Sequence, residues 1–117
     1  MRHHKKTRTL GRRKGQRVAL LRSLARSLIR DEGIVTTIAR AKELRPFVEE
    51  LVTAAKSNTP VSRRIAASRL GAGSASVKKL HDSIAPRYEK RAGGYTRIVR
   101  LGPVGKRAVE SARIEFV

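Results

Sequence analysis

The fold is decided by Tyr95-Thr96-Arg97-Ile98-Val99-Arg100-Leu101, a stretch in which the helical spacing of apolar residues gives way to alternation. Apolar and polar side chains that alternate along a chain predict a β-strand with one buried face. A second strand is predicted at residues 113–117, and Gly102-Pro103-Val104-Gly105 marks the turn region between the two. Residues 95–117 are therefore expected to form part of a sheet.

The residues before this stretch predict four helices and one early strand. Apolar residues recur at helical spacing in four segments, residues 16–31, 39–56, 60–70 and 75–84. The β-branched run at residues 34–38 favours a short strand instead. Helices that come first and strands that come last are typical of an α+β domain. We expect about four helices packed on a small, about three-stranded sheet.

Glycine and proline residues predict where several of these helices begin and end. Pro60 fits the first turn of the third helix, and Gly71 follows its last residue. Gly33 is expected to cap the C-terminal end of the first helix. Pro46 lies inside the second helical pattern, and we expect that helix to tolerate it with a kink. The fourth helix is expected to end before Pro86.

Positive charge dominates the composition of the 117 residues, with 28 Lys plus Arg against 9 Asp plus Glu, a net charge of +19 and a pI near 11.8. Residues 1–30 contain no acidic residue. Self-repulsion at this density favours a polyanionic partner, and a small basic domain is typical of nucleic-acid binding. We expect a basic N-terminal extension at residues 1–17, disordered without its partner, and a single globular domain at residues 18–117.

The residue types that the sequence lacks argue against enzymes, metal sites and membrane proteins. There is no cysteine, no phosphate-binding glycine motif and no cluster of carboxylates suited to catalytic metal ions. His3 and His4 have no further ligands nearby, so neither a metal nor another cofactor is expected. An apolar run of about 18 residues, as a membrane span needs, is absent. We therefore expect no catalysis, no small-molecule substrate and no membrane partner.

Basic side chains in four places are the predicted RNA contacts, because lysine and arginine neutralise phosphates. In the N-terminal extension they are accompanied by two histidines: Arg2, His3, His4, Lys5, Lys6, Arg8, Arg12, Arg13, Lys14 and Arg17. A row four residues apart follows on the first helix, and an adjacent pair lies on the third: Arg22, Arg26, Arg30, Arg63 and Arg64. The last group surrounds two glycines: Arg87, Arg91, Gly93, Gly94, Tyr95 and Arg97.

Two points stay open from the residues alone. Gly93 and Gly94 allow a backbone to approach phosphates closely while Tyr95 stacks on an unpaired base, or the same residues form a turn with Tyr95 in the core. The alternative function is a DNA-binding regulator, because residues 63–82 are similar to a helix-turn-helix with Ala67 at the tight helix contact.

Four segments resemble the bacterial large-subunit ribosomal protein seventeen family. They are the start Met1-Arg2-His3, the pair Thr36-Thr37 followed by Ala41-Lys42-Glu43-Leu44-Arg45, the stretch Arg91-Ala92-Gly93-Gly94-Tyr95-Thr96-Arg97-Ile98, and Ile114-Glu115. The sequence departs from the family pattern at residues 12–16 and 105–110.

This resemblance implies an α+β protein that binds large-subunit (23S) rRNA near the exit of the nascent-peptide tunnel. It also implies contacts with neighbouring large-subunit ribosomal proteins and a cytoplasmic location within the large ribosomal subunit. The expected mechanism is electrostatic clamping: the folded body supplies a basic face, and the extension enters a groove between rRNA helices.

Overall fold

A computed structural model describes residues 14–71, 74–106 and 109–117. The elements follow one another as α1 (Lys14–Asp31), β1 (Gly33–Thr37), α2 (Ile38–Ala55), α3 (Pro60–Leu70), α4 (Ser74–Lys79), a π-helical turn (Leu80–Ile84), α5 (Ala85–Arg87), β2 (Thr96–Val104) and β3 (Val109–Phe116). The stretch from α4 to α5 is continuous and corresponds to the fourth predicted helix. The predicted α+β fold is confirmed.

The three strands form one antiparallel sheet in the order β1-β3-β2, so β3 is the central strand. Ile114 of β3 pairs with Ile34 of β1 and with Ile98 of β2, which places three isoleucines in one row across the sheet. Ile114 is fully buried, and the other two pack against the core from the edge strands. Because α2 contacts all three strands, the helices cover this face of the sheet.

The apolar stripe of α2 is the centre of the core. Its buried residues follow the predicted helical spacing: Ala41, Leu44, Val48, Leu51, Val52 and Ala55. The helix begins after Thr37, whose hydroxyl accepts a hydrogen bond from the Arg40 amide at 3.3 Å. It runs through Pro46 without a break. Ala25, Leu28 and Ile29 of α1 complete the buried layer.

The boundaries of α3 are those that the sequence predicts. The Thr59 hydroxyl accepts from the Ser62 amide at 3.1 Å, and the Ser62 hydroxyl accepts from the Thr59 amide at 3.0 Å. Pro60 occupies the first turn, and Gly71 ends the helix in the left-handed conformation with φ of 79°. Ser62 also lies 3.2 Å from Nε2 of the buried His81, which joins α3 to the π-helical turn.

Two predicted boundaries of α1 need correction. The helix begins at Lys14, so residues 14–17, predicted to belong to the N-terminal extension, are helical. Gly33 is not the cap: it belongs to β1, and Glu32 takes the left-handed conformation with φ of 64°. The Glu32 amide donates to the Leu28 carbonyl at 2.7 Å and thereby closes the last turn.

The sequence predicts that the fourth helix ends before Pro86, and this prediction is wrong. Proline has no amide hydrogen for the carbonyl four residues earlier, and its ring collides with that carbonyl in a regular α-helix. The chain widens into the π-helical turn just before Pro86, where the Ala85 amide donates to the Leu80 carbonyl, five residues back. The helical path therefore continues to Arg87.

The turn predicted at residues 102–105 begins later, at Gly105. Gly102 and Pro103 belong to β2 and pair with Ser111 and Glu110 of β3. A bulge between Arg100 and Gly102 shifts the register, and proline is tolerated because β2 is an edge strand. Both strands of the hairpin are therefore longer than their alternation of apolar residues predicted.

A three-residue ionic cluster joins the end of α1 to the fourth helical segment. The Glu32 carboxylate accepts a hydrogen bond from Arg87 and lies 3.3 Å from Nζ of Lys79. Lys79 also donates to the Arg30 carbonyl at 2.7 Å, near the negative end of the α1 dipole. The hydrogen bond from Arg87, with a smaller contribution from Lys79 and against the opposing effect of partial burial, lowers the pKa of Glu32 from 4.5 to about 2.

We predict that Glu32→Gln removes an acid-sensitive part of the stability. Because the pKa of Glu32 is depressed in the folded state, the stabilisation is fully present above pH 4.5 and is lost as the pH falls towards about 2. The free energy of unfolding should therefore differ most between wild type and variant near neutral pH, and the difference should shrink below pH 4.5. Urea denaturation at several pH values measures it. Glu89→Gln, which changes an exposed carboxylate, is the control, and a difference independent of pH would contradict the prediction.

Candidate nucleic-acid interface

Arg22 and Arg26 of α1, predicted as phosphate ligands, each donate a hydrogen bond to the C-terminal end of α3. Nε of Arg22 donates to the Arg69 carbonyl at 3.1 Å, and Arg26 donates to the Leu70 carbonyl. These are terminal carbonyls of α3 with no helical partner, and they carry the negative end of the helix dipole. Both arginines therefore cap a neighbouring helix. Each guanidinium keeps further N–H donors, and contact of this row with phosphates stays a prediction.

Four other predicted contacts are paired with carboxylates. Arg30 lies 3.0 Å from Asp31, Arg63 lies 2.9 Å from Asp82, and Arg97 lies 3.2 Å from Glu115. Arg87 pairs with Glu32 in the cluster described above. The charge of each of these arginines is therefore balanced by a neighbouring carboxylate. Exposed ion pairs of this kind add little stability.

Tyr95 lies in the core, which decides between its two predicted roles. Only 1% of its surface is exposed, and its ring lies 5.2 Å from that of Tyr88. The hydroxyl is 3.1 Å from Oγ1 of Thr53 and accepts a hydrogen bond from Nζ of Lys56 at 3.1 Å. The hydrogen bond with Thr53 contributes most to lowering the pKa of Tyr95. Because the ring is enclosed, it is not available to stack on a base, and that part of the prediction is corrected.

The glycine loop, residues 91–94, is fixed at both ends to α2. Nζ of Lys56 donates to the Arg91 carbonyl at 2.5 Å. On the other side, the Glu49 carboxylate accepts from the Thr96 hydroxyl at 2.8 Å and from the Thr96 amide at 3.3 Å. Glu49 of α2 and Lys56, the residue that follows α2, therefore hold the loop in a defined position, and the buried Tyr95 anchors it.

The backbone of the glycine loop faces open space. Gly93 and Gly94 have φ values of 116° and 64°, which side chains rarely permit. A Cβ atom added at either glycine would meet nothing within 4 Å. Within the described part of the chain, no acceptor is found for the amides of Ala92, Gly93 and Gly94. The loop thus presents amide donors beside the exposed Arg91 side chain.

Several cations have neither a carboxylate nor a carbonyl partner among the residues that the structure describes. They lie at the start of α1, at the start of α2, on α3 and α4, in the chain before β2, and on the hairpin: Lys14, Arg17, Arg40, Lys42, Arg64, Lys78, Lys90, Arg91, Arg100 and Lys106. We call these the unpaired cations. Four of them, Lys14, Arg17, Arg64 and Arg91, were predicted.

The other unpaired cations were missed from sequence. Arg40 and Lys42 lie in the second segment of the family resemblance, which was the available signal. Lys78, Lys90 and Lys106 each precede another basic residue, and Arg100 lies between two apolar residues. Nothing in their spacing distinguishes them from basic residues that are ion-paired.

The remaining predictions of this kind concern residues 1–13, and these lie outside the described residues. In the ranges that are described, no group of three or more metal-ligating side chains converges, and no helix is long and apolar enough to cross a membrane. The helix-turn-helix alternative loses one support, because Ala67, expected at a tight helix contact, is exposed.

The comparisons with known proteins address identity directly. The family model described as "Ribosomal protein L17" matches residues 20–117. The chain belongs to the ribosomal protein L17 family. This confirms the resemblance.

Curated members of the L17 family match the chain over its whole length. The "Large ribosomal subunit protein bL17" of Sphingopyxis alaskensis is 49% identical over 117 residues, which cover 84% of that protein. Those of Thermomicrobium roseum and Gemmatimonas aurantiaca are 49% and 47% identical, and the match covers 99% and 98% of their lengths. These relatives are named as ribosomal proteins and not as enzymes, in agreement with the prediction that the chain is not an enzyme.

For this L17 family member we predict that Arg26→Ala destabilises the fold and Arg64→Ala does not. Loss of a charged donor to a helix-terminal carbonyl costs about 1 to 3 kcal/mol, whereas an exposed unpaired side chain contributes within about 0.5 kcal/mol. Urea unfolding at one fixed salt concentration compares them. Equal stability of the two variants would show that Arg26 does not act as a cap.

Proposed function

We propose that this L17 family protein is a structural component of the large ribosomal subunit that binds and clamps large-subunit (23S) rRNA. The observation that carries the proposal is the set of unpaired cations, together with the exposed amides of the glycine loop beside Arg91, on a chain of net charge +19. Uncompensated cations and free amides are the groups that bind phosphate. The name of the curated relatives supplies the setting, the large ribosomal subunit.

The proposed clamp has two parts. The folded body holds its cations in fixed positions, so it binds rRNA by shape and phosphate spacing and not by base sequence. Residues 1–13 add six Lys or Arg and two His with no acidic residue, and neutralisation of phosphates by these side chains releases counterions. The ion-paired Arg30, Arg63, Arg87 and Arg97 are weaker candidates, because each has to leave a carboxylate to bind phosphate.

Two finer parts of the proposal rest on the family alone. The first is a position near the exit of the nascent-peptide tunnel, and the second is contact with neighbouring large-subunit ribosomal proteins. The subunit that holds the protein is proposed to be cytoplasmic. A DNA-binding regulator remains the competing function, so each binding experiment includes double-stranded DNA of matched length as a competitor. Preference for DNA over rRNA would overturn the proposal.

We predict that removal of residues 1–13 weakens rRNA binding and flattens its salt dependence. Six fewer phosphate contacts would reduce the slope of log affinity against log salt concentration by up to about 4 to 5. Filter binding to 23S rRNA between low and moderate salt measures the slope. Truncation at residue 13 leaves α1 whole, since that helix begins at Lys14.

A full-length variant with glutamine at these six basic positions is the matched control for chain length. It should behave like the truncated protein if charge is the cause. An unchanged slope in both proteins would exclude the extension from the clamp.

We predict that Gly94→Asn keeps the fold and weakens rRNA binding. Asparagine tolerates a φ near 64°, and the space around Gly94 is open, so the added side chain should obstruct only a phosphate that approaches the amides. Gly94→Val, which cannot adopt this φ readily, should lower stability as well. Circular dichroism and filter binding together separate the effects. Wild-type affinity of Gly94→Asn would exclude the loop as a phosphate site.

A further inference from the structure

We infer that the groove between α2 and α3 docks a basic segment of a neighbouring protein, which inserts an apolar side chain beside Glu50. This inference rests on the proposed function, because it takes the neighbour to be bound to the same rRNA. The groove has a volume of about 650 Å³, and Gly93 and Tyr95 contribute to its lining. Pro46, Leu51, Ala54 and Ile65 supply its apolar walls.

The apolar surface of the groove extends outwards along α3. Ile65 is 43% exposed, and Val61, one turn earlier, is 54% exposed. A second, shallower cleft lined by both residues continues the surface towards Arg64. The inward stripe of α3 is satisfied by other residues, Ser62, Ala66 and Leu70, so the core does not require a large apolar side chain at position 61 or 65. Exposed β-branched residues also have low helix propensity, so neither helix formation nor the core accounts for them.

The charges around the groove argue against RNA as its occupant. Arg69, which lines the groove, lies 2.7 Å from Glu50, so its charge is compensated. The carboxylate side chain of Glu50 is 67% exposed. Phosphates are repelled by an exposed carboxylate and attracted by unpaired cations. Arg64 is an unpaired cation at the shallower cleft, but none of the unpaired cations lines the groove itself.

The same charges define the chemistry of the partner. A protein bound to the same polyanion is itself basic, and two basic proteins repel each other unless one presents carboxylates at the contact. Glu49 and Glu50 are two of only nine acidic residues in the chain, and both line the groove. The groove therefore fits a leucine-, isoleucine-, methionine- or phenylalanine-type side chain adjacent to a lysine or arginine that reaches Glu50.

Photo-crosslinking within assembled subunits tests this inference. Ile65→p-benzoylphenylalanine places the crosslinker on the groove, and Ala92→p-benzoylphenylalanine places it on the glycine loop. Both positions have substantial exposure, so the fold should tolerate the change, and Val61 offers a second groove position. After irradiation, large subunits are isolated by sedimentation, digested with nuclease and protease, and the crosslinked species are identified by mass spectrometry.

The expected product from position 65 is a peptide of another protein with an apolar residue adjacent to lysine or arginine. Glu50→Lys, introduced together with the crosslinker, should lower its yield by roughly tenfold through charge repulsion. Glu89→Lys makes the same change of charge away from the groove and should leave the yield unaltered. Crosslinks from position 65 to rRNA, to a second copy of the chain or to nothing would each overturn the docking site, as would equal effects of the two lysine variants.

The glycine-loop arm and the wild-type protein report separately on the proposed function. Crosslinks from position 92 to rRNA support it, whatever position 65 yields. A wild-type chain that does not sediment with the large subunit would overturn the proposed function and the docking site together. Sedimentation with the subunit and rRNA crosslinks at position 92, without a protein crosslink at position 65, would overturn the docking site alone.

Discussion

The structure depends on how 28 basic side chains are accommodated around nine carboxylates. The described carboxylates lie mostly where two elements meet: Glu32 joins α1 to the fourth helical segment, Glu50 joins α2 to α3, and Asp82 joins the π-helical turn to α3. Where no carboxylate is present, backbone carbonyls take its place, as for Arg22 and Arg26 at the end of α3. Most of these acidic side chains thus form ion pairs where two elements are in contact. The unpaired cations remain available to a polyanion.

This arrangement separates the surface into regions of different chemistry. The glycine loop and the unpaired cations present donors and net charge, whereas the groove between α2 and α3 presents apolar side chains and balanced charge. Gly93 belongs to both, because it lies in the loop and lines the groove. A ligand in the groove and a phosphate at the loop would therefore be separated by little more than one stretch of backbone. Glu49 of α2 and the adjoining Lys56 fix the position of that backbone.

The elements could be predicted from sequence because their signals are local. The stripe of α2, the Thr59-Pro60 start of α3 and the alternation in β2 each depend on residues within one or two turns of one another. The hydrogen bonds of Arg22 and Arg26 are not local, since their acceptors lie 47 and 44 residues away along the chain. Nothing in the sequence of α1 indicates where α3 ends. Tyr95 was ambiguous for the same reason, because its partners Thr53 and Lys56 belong to a different element. The π-helical turn escaped prediction because Pro86 alone signals a helix end, and tertiary packing decided otherwise.

The order of the strands has a consequence for synthesis of the protein. The central strand, β3, follows the other two in the chain, and neither β1 nor β2 pairs with anything else in the sheet. During translation the helices and both edge strands emerge before the strand that joins them, so the sheet closes only after residue 116 has left the ribosome. Residues 1–13, with their six basic side chains, emerge before the helices and strands. The nascent chain therefore exposes its most basic segment to RNA well before its core is complete.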